Sequence, residues 1–181
     1  DASAWNYGNR CNPEEPEYNY VKDVDYISGA AIMIRHSLWE KIGGFDETFV
    51  PAYYEDSDLA FEVRRHGYRV VYQPLSVVIH FEGVSNGTDT STGQKHYQVV
   101  NQEKFYNKWK DVLEKEHFPN AENVFLAKDR SRFRKQILVV DHYVPHYDKD
   151  AGGRCTYMYL KLFVKLGMKV TFIGDNFFKH E

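Results

Sequence analysis

The chain has 181 residues, of which 43% are hydrophobic and 27% charged, a composition typical of a folded protein rather than a disordered one. Its net charge of −3 lacks the basic footprint of a nucleic-acid-binding protein, so we expect no nucleic-acid partner. No apolar run approaches the roughly 20 residues of a membrane helix, and Cys11 and Cys155 have neither metal-ligand spacing nor a disulfide framework, which fits a reducing cytosolic setting.

Hydrophobic periodicity and turn residues predict an α/β arrangement over the first part of the chain. Apolar runs of strand length alternate there with stretches of helical spacing, and Gly and Pro separate them. In chain order we predict an aromatic-rich loop at 1–20, strands at 21–26 and 30–34, a short helix from Ser37 that Gly43 and Gly44 end, a helix at 57–66, strands at 69–72 and 77–80, and an amphipathic helix at 95–116.

A cluster of carboxylates stands at the start of the 57–66 helix. Glu55, Asp56 and Asp58 fall within four residues, directly behind Tyr53 and Tyr54. Acidic residues in a first helical turn interact favourably with the helix dipole, each by about 0.3–1 kcal/mol, so capping is one interpretation. Glu55 is predicted to precede the helix, where it gains little from the dipole and repels Asp56. Crowded carboxylates tune a general base, and the tyrosine rings offer flat faces for a sugar.

His80 stands at the end of the predicted strand 77–80. A histidine at a strand end is commonly a hydrogen-bonded polar residue, but a neutral imidazole can also hold a divalent metal together with carboxylates and phosphates. The loop that follows consists almost entirely of Gly, Ser, Thr, Asn and Asp. Two interpretations stay open for its residues 84–94, a lid over a substrate and a plain connector.

The last part of the chain changes character. Residues 118–135 are irregular and become basic, which indicates a solvated linker or a patch for phosphate or a membrane surface. A buried-type strand at 136–141, a helix at 154–166 and a strand at 169–173 then form one βαβ unit with parallel strands. One such unit cannot cover both faces of its sheet, so we expect the rest of that domain beyond Glu181.

The blocks Ser28-Gly29-Ala30, Gly43-Gly44-Phe45-Asp46-Glu47, Glu55-Asp56-Ser57-Asp58-Leu59, His66-Gly67-Tyr68 and His80 resemble, in order and spacing, the C-terminal half of a family 2 glycosyltransferase. The resemblance covers about residues 20–115. The family's N-terminal half, with its Asp-x-Asp metal motif, is not present. Asp23-Val24-Asp25 lies downstream of that motif's place and is not assigned to it, so we expect this chain alone to be an inactive part of a longer enzyme.

The resemblance implies part of a GT-A fold, a mixed sheet with flanking helices, and an inverting hexosyltransferase-type enzyme. Asp56 is then the general base, Glu55 orients the base or the acceptor, and His80 is one ligand of a divalent metal (Mg or Mn) whose other ligands lie outside this chain. The resemblance also implies a nucleotide-sugar donor and a glycan or lipid-linked glycan acceptor. The candidate substrate-binding residues are Tyr53, Tyr54, Asp58, Ser28, Gly29 and Trp5.

The tail resembles the start of a GT-B glycosyltransferase of the family 4 type, through Val139-Val140-Asp141, Pro145 and Gly152-Gly153-Arg154. The N–H groups at that helix start could meet a phosphate, or the glycines could form a plain tight turn. We therefore predict three segments: the C-terminal part of a GT-A domain at 1–117, a linker at 118–135, and the truncated start of a Rossmann-like GT-B domain at 136–181.

These resemblances imply a tandem enzyme of bacterial surface-polysaccharide synthesis. Its expected location is the cytoplasm, and peripheral association with the inner face of the membrane is compatible with that location. The alternative function is a non-catalytic carbohydrate-binding or scaffolding module of the same fold. A third interpretation takes the terminal βαβ unit as the start of a nucleotide- or NAD-binding domain, with Asp175 near the position of its acidic residue.

Overall fold

The computed structural model describes residues 2–5, 7–80 and 95–176, and its helices and small sheets form an α/β structure. The chain divides into two units, Asp1–Arg130 and Ser131–Glu181. This division lies inside the segment 118–135 that the sequence predicts as a linker. Residues 124–130 belong to the first unit, where Arg130 forms ion pairs with Asp25 and Glu116, so this basic stretch is not simply solvated.

Helices dominate the first unit. Two strands pair antiparallel, with Lys22 opposite Tyr72 and Asp23 opposite Val71. The helices are α1 (His36–Ile42), α2 (Glu55–Arg65), α3 (His96–Glu116) and α4 (Val124–Ala127), the strands are β1 (Lys22–Asp23) and β2 (Val71–Tyr72), and single 3-10 turns span Pro16–Tyr18 and Glu47–Phe49.

Helix α2 is the buried centre of this unit, because every residue from Ser57 to Val63 is buried. Phe61 points into an aromatic cluster, whereas Ala60 and Val63 pack into an aliphatic one on the other side. The aromatic cluster also contains Ala2, Phe49, Tyr54, Phe105 and Trp109; the aliphatic cluster also contains Leu38 and Val70. Apolar contacts on both sides therefore fix the position of α2, and with it the acidic residues of its first turn.

Two predicted strands are wrong. The segment 30–34 contains no strand, and Met33 is 98% exposed. The segment 77–80 is likewise outside any strand, and Val77 and Ile79 are more than three-quarters exposed. An apolar run becomes a strand only where another strand supplies hydrogen-bond partners. Among the described residues of this unit, only β1 and β2 supply them to each other.

The predicted end of the first helix is confirmed. Gly43 has a φ of 91°, in the left-handed region that glycine adopts without steric cost. The N–H groups of Gly43 and Gly44 both donate to the carbonyl of Trp39, at 2.9 and 3.2 Å. This turn directs the chain into the segment 46–53, which leads to α2.

The second unit confirms the predicted βαβ order. Strands β3 (Gln136–Asp141) and β4 (Lys169–Gly174) are parallel and helix α5 (Ala151–Lys165) connects them. Helix α5 begins three residues before the predicted start, because the Asp150 carboxylate accepts the N–H of Gly153 at 2.6 Å and caps it. A Cβ at Gly153 would lie 2.8 Å from the carbonyl oxygen of His146. These contacts favour the tight-turn interpretation of the two glycines.

Candidate functional site

The carboxylate cluster lies behind a strained turn. Tyr53 and Tyr54 both have positive φ angles, 73° and 72°, which aromatic residues rarely adopt and which cost about 1–3 kcal/mol each. Tyr54 is the residue before α2, so the helix begins at Glu55. The expectation that Glu55 precedes the helix is therefore wrong. Glu55, Asp56 and Asp58 all lie in the first turn, where each gains from the helix dipole.

Asp56 is held in one orientation by two backbone donors. Its Oδ2 accepts the N–H of Gly29 at 2.9 Å, and its Oδ1 accepts the N–H of Ser57 at 2.6 Å. Gly29 lies 27 residues earlier in the chain, and a Cβ there would be 3.6 Å from the Cβ of Asp56. The Ser57 hydroxyl also donates to Oδ1 at 3.3 Å, so the half-buried carboxylate keeps its remaining lone pair on Oδ2 for a further hydrogen bond.

Glu55 has a different environment from its neighbour. Burial raises the pKa of the Glu55 carboxyl, and the adjacent charge of Asp56 raises it further, against two backbone N–H groups that lower it. Its Oε2 is buried and has no hydrogen-bond partner among the described residues. Two neighbouring carboxyl groups in different surroundings can divide the work of a base and an orienting group.

Asp58 is part of the protein interior. Its residue is 1% exposed, and its Oδ1 accepts the indole N–H of Trp109 at 2.6 Å. The ammonium group of Lys108 lies 2.8 Å from Oδ1 and 2.9 Å from Oδ2. The role of Asp58 in substrate binding stays a prediction, but both of its oxygens are already paired by α3.

Lys108 connects this carboxylate to two others. It lies 2.8 Å from Asp46 and 3.4 Å from Glu62, so one ammonium group serves three acidic residues. Burial disfavours the charged form of Lys108, but its hydrogen bonds to Asp46 and Asp58 outweigh that effect and raise its pKa. Hydrogen bonds from Lys108 and Thr48 lower the pKa of Asp46 to about 2. Burial raises the pKa of Asp58 despite these donors.

The two tyrosines of the turn differ in accessibility. Tyr54 is 7% exposed; its ring packs 5.3 Å from that of Phe105 and its hydroxyl donates to the carbonyl of Ala2. Burial raises the pKa of Tyr54 to about 12. Tyr53 is half-buried, with the ammonium of Lys95 4.9 Å above its ring. Of the pair, Tyr53 is the one that retains accessible ring surface for a ligand.

A cavity of about 930 Å³ opens in the first unit and brings four predicted site residues to one surface: Trp5, Ser28, Tyr54 and His80. Trp5 is 55% exposed, and its indole N–H donates to Asn120 at 2.7 Å. Glu55, Asp56, Asp58, Tyr53 and Gly29 lie outside the lining of this cavity. The structure thus divides the predicted site into a cavity group and a group at the start of α2, which meet at Ser28-Gly29 and at Tyr54.

The described residues do not form a metal site by themselves. They contain no group of three His, Cys, Asp or Glu side chains that could hold an ion together. His80 is exposed. Asp23 pairs with Arg69 at 2.7 Å, and Asp25 pairs with Arg130 at 3.1 Å. The proposed lid at 84–94 lies outside the described residues.

Asn101 is a site-supporting residue that the sequence analysis missed. It is fully buried, and its side-chain amide donates to the carbonyls of Phe49, Ala52 and Tyr53. A signal for it is present in the sequence, because Asn101 precedes Phe105 by four residues and Trp109 by eight. It therefore occupies a core position of the amphipathic helix α3.

No helix among the described residues is both long and apolar enough to span a bilayer. No known family profile matches the chain, and no solved structure matches it.

Part of the chain is similar to glycosyltransferases. Over 71 residues it is 34% identical to the N-acetylglucosaminyl-diphospho-decaprenol L-rhamnosyltransferase of Mycobacterium tuberculosis. This matched stretch makes up 39% of this chain and 23% of that protein. The chain is 40% identical over 57 residues to the pre-mycofactocin glycosyltransferase of the same organism, covering 32% of this chain and 12% of that protein. A 25% identity over 109 residues links it to an uncharacterised protein of Sinorhizobium fredii. The chain thus spans less than a quarter of the length of these relatives.

Proposed function

We propose that this chain carries the acceptor side of an inverting glycosyltransferase site, with Asp56 as the general base. The observation that supports this most is the placement of Asp56, whose carboxylate is oriented by the N–H groups of Gly29 and Ser57 at the first turn of a buried helix. The partial similarity to glycosyltransferases gives this carboxylate a reaction class.

In the proposed reaction, Asp56 takes the proton of an acceptor hydroxyl as the oxygen attacks the anomeric carbon of a nucleotide-sugar. The new bond joins the acceptor oxygen to that carbon, and the bond between the carbon and the phosphate oxygen breaks with its electron pair leaving on the nucleoside diphosphate. Attack from the opposite face inverts the anomeric configuration. A positioned base of this kind contributes typically about 10²–10⁴-fold to a rate.

Glu55 orients the base or the acceptor in this proposal. Because burial raises its pKa, Glu55 is also the specific alternative for the proton acceptor, and a pair of substitutions separates the two roles. Tyr53 and Trp5 supply accessible aromatic surface for a sugar, whereas Tyr54 and Asp58 support the site from the interior.

A divalent cation, Mg or Mn, remains part of the proposal: His80 would be one of its ligands, and the cation would stabilise charge on the departing diphosphate. The donor is a nucleotide-sugar and the acceptor a glycan or lipid-linked glycan; the name of one relative contains a diphospho-decaprenol acceptor. We place the enzyme in bacterial surface-polysaccharide synthesis at the cytoplasmic face of the membrane. In the same proposal, the first unit is part of a GT-A domain and the second unit begins a GT-B domain.

The experiment is a transfer assay on the complete protein with a set of nucleotide-sugars, including dTDP-rhamnose and UDP-glucose, and a lipid-linked oligosaccharide acceptor. We expect release of nucleoside diphosphate that depends on the acceptor, a product of inverted configuration by NMR, and loss of rate with a chelator that Mn²⁺ restores. A retained configuration would contradict the single displacement.

The alternative, a non-catalytic carbohydrate-binding module, has its own support in the exposed Trp5 and the half-buried Tyr53 ring. It predicts that calorimetry detects oligosaccharide binding while no donor is consumed under any of these conditions.

A further inference from the structure

A polar stripe on α3 holds the segment that leads to the catalytic turn. Asn101, Lys104 and Lys108 follow one another at spacings of three and four, so they share one face of the helix. Asn101 donates to the carbonyls of Phe49, Ala52 and Tyr53, Lys104 donates to the carbonyl of Thr48 at 2.9 Å, and Lys108 donates to the Asp46 carboxylate at 2.8 Å. The segment 46–53 is thus tied to α3 along its whole length.

Asn101 makes the contacts nearest the site. Its two amide N–H groups serve three carbonyl oxygens, at 2.8 Å for Phe49, 2.8 Å for Ala52 and 3.1 Å for Tyr53, so one donor is shared. Its residue is 0% exposed, and its Oδ1 has no partner among the described residues. The amide group thus binds three carbonyl oxygens, while its own buried oxygen lacks a hydrogen bond, which is unfavourable by itself.

One of these three carbonyls belongs to the strained turn, and the other two belong to the segment directly before it. Tyr53 and Tyr54 have left-handed φ angles, which persist only where surrounding contacts impose them. The third carbonyl that Asn101 binds is that of Tyr53 itself, and the next residues are Tyr54, Glu55 and Asp56. Removal of the amide would leave these three carbonyls without this donor and allow the turn to relax toward ordinary backbone angles.

We propose that Asn101 is a positioning residue for Asp56, which it places against Gly29 by fixing the Tyr53–Tyr54 turn. This inference rests on the proposed function for its catalytic consequence, but its structural part can be measured without any activity. The Gly29 N–H donates to the Asp56 Oδ2, so the protection of that amide from hydrogen exchange reports where Asp56 lies.

The test compares Asn101→Leu, which keeps a similar volume without donors, with Val112→Ala in the complete protein. Val112 packs against the same aromatic cluster, and its truncation weakens the packing of α3 but removes no hydrogen bond to the segment 46–53. We expect Asn101→Leu to lower kcat about 100-fold, the loss typical of a misplaced catalytic group, with KM for the nucleotide-sugar close to wild type. Val112→Ala should retain the wild-type kcat below its melting temperature.

The second measurement is hydrogen–deuterium exchange of the same variants, read at Gly29 and across 53–57. We expect faster exchange in Asn101→Leu and wild-type exchange at these positions in Val112→Ala. Asn101→Ser keeps one donor and should give intermediate values of both kcat and exchange, so it replaces Asn101→Leu if the latter does not fold.

The outcomes separate this inference from the proposed function. If the wild-type protein transfers no sugar but Gly29 loses protection in Asn101→Leu, the proposed function is refuted. The structural part of the inference, that Asn101 positions Asp56, would then still stand. Wild-type protection of Gly29 in Asn101→Leu would overturn the inference. An unprotected Gly29 with unchanged kcat would also overturn it, because Asn101 would then support the fold alone.

Discussion

The ammonium group of Lys108 faces the carboxylates of Asp58, Asp46 and Glu62, and Glu62 also pairs with Arg65 at 2.7 Å. The substitution Lys108→Met keeps most of the side-chain length and removes the charge. Lys110 provides a matched control two residues further along α3, because it is exposed and its ion pair with Glu114 spans 3.9 Å. The comparison therefore isolates the buried charges from the properties of the helix.

The magnitude follows from burial. Breaking a buried ion pair from one side costs about 3–5 kcal/mol, since the other charge stays buried without compensation. The side chain of Asp58 is 2% exposed, but it keeps the Trp109 N–H, and Lys108 itself is 30% exposed. We therefore expect a loss near the lower end, about 3 kcal/mol. Lys110→Met should cost less than about 1 kcal/mol, as an exposed pair does.

Urea titration at pH 7, followed by circular dichroism, measures both free energies of unfolding. Because burial already raises the pKa of Asp58, protonation of its unpaired carboxyl should favour the folded Lys108→Met protein as the pH falls. The deficit relative to wild type should thus shrink between pH 7 and pH 4. Two results would refute the assignment of Lys108 as the compensating charge. One is a loss of unfolding free energy equal to that of Lys110→Met, and the other is a loss that increases as the pH falls.

Two further predictions concern stability. Gly153→Ala places a Cβ 2.8 Å from the backbone carbonyl oxygen of His146 and should destabilise the second unit by about 1–3 kcal/mol in a thermal melt. Gly152→Ala meets only the Asp150 side chain, at 3.2 Å, and should cost less; equal effects would contradict the close approach at Gly153. The pKa of Asp46 is about 2 against 3.8 for the free group, so its contribution is present above pH 4 and lost as the pH falls toward 2. Because the carboxylate is partly exposed, we expect Asp46→Asn to cost only about 1 kcal/mol at pH 7 and progressively less as the pH falls through 2, as measured by denaturation; a difference that is constant with pH would exclude this ion pair.

Local chemistry made the helices predictable. The spacing of Phe105 and Trp109 predicted α3, and Gly43 predicted the end of α1. The apolar runs on either side of Gly152-Gly153 predicted the βαβ unit. These features were predictable because they depend on nearby residues. The runs at 30–34 and 77–80 failed as strands for the opposite reason. A strand depends on a partner that is distant in sequence, and hydrophobicity does not supply one.

The carboxylate cluster was located by sequence, but its division of labour was not. Burial separates Asp58, enclosed by Trp109 and Lys108, from Asp56, which two backbone N–H groups orient. The start of α2 at Glu55 depends on the left-handed Tyr54, a conformation that no propensity predicts for tyrosine. Contacts from the distant helix α3 impose it.

The most direct measurement of the central claim compares Asp56→Asn with Glu55→Gln in the complete protein, by the rate of sugar transfer at saturating donor. Both substitutions keep the size of the side chain, so circular dichroism should match that of the wild type. We expect Asp56→Asn to lower kcat by about 10²–10⁴-fold and Glu55→Gln by less, because Asp56 takes the proton and Glu55 orients. Transfer by Asp56→Asn near the wild-type rate, or a larger loss in Glu55→Gln, would contradict the assignment of Asp56 as the base.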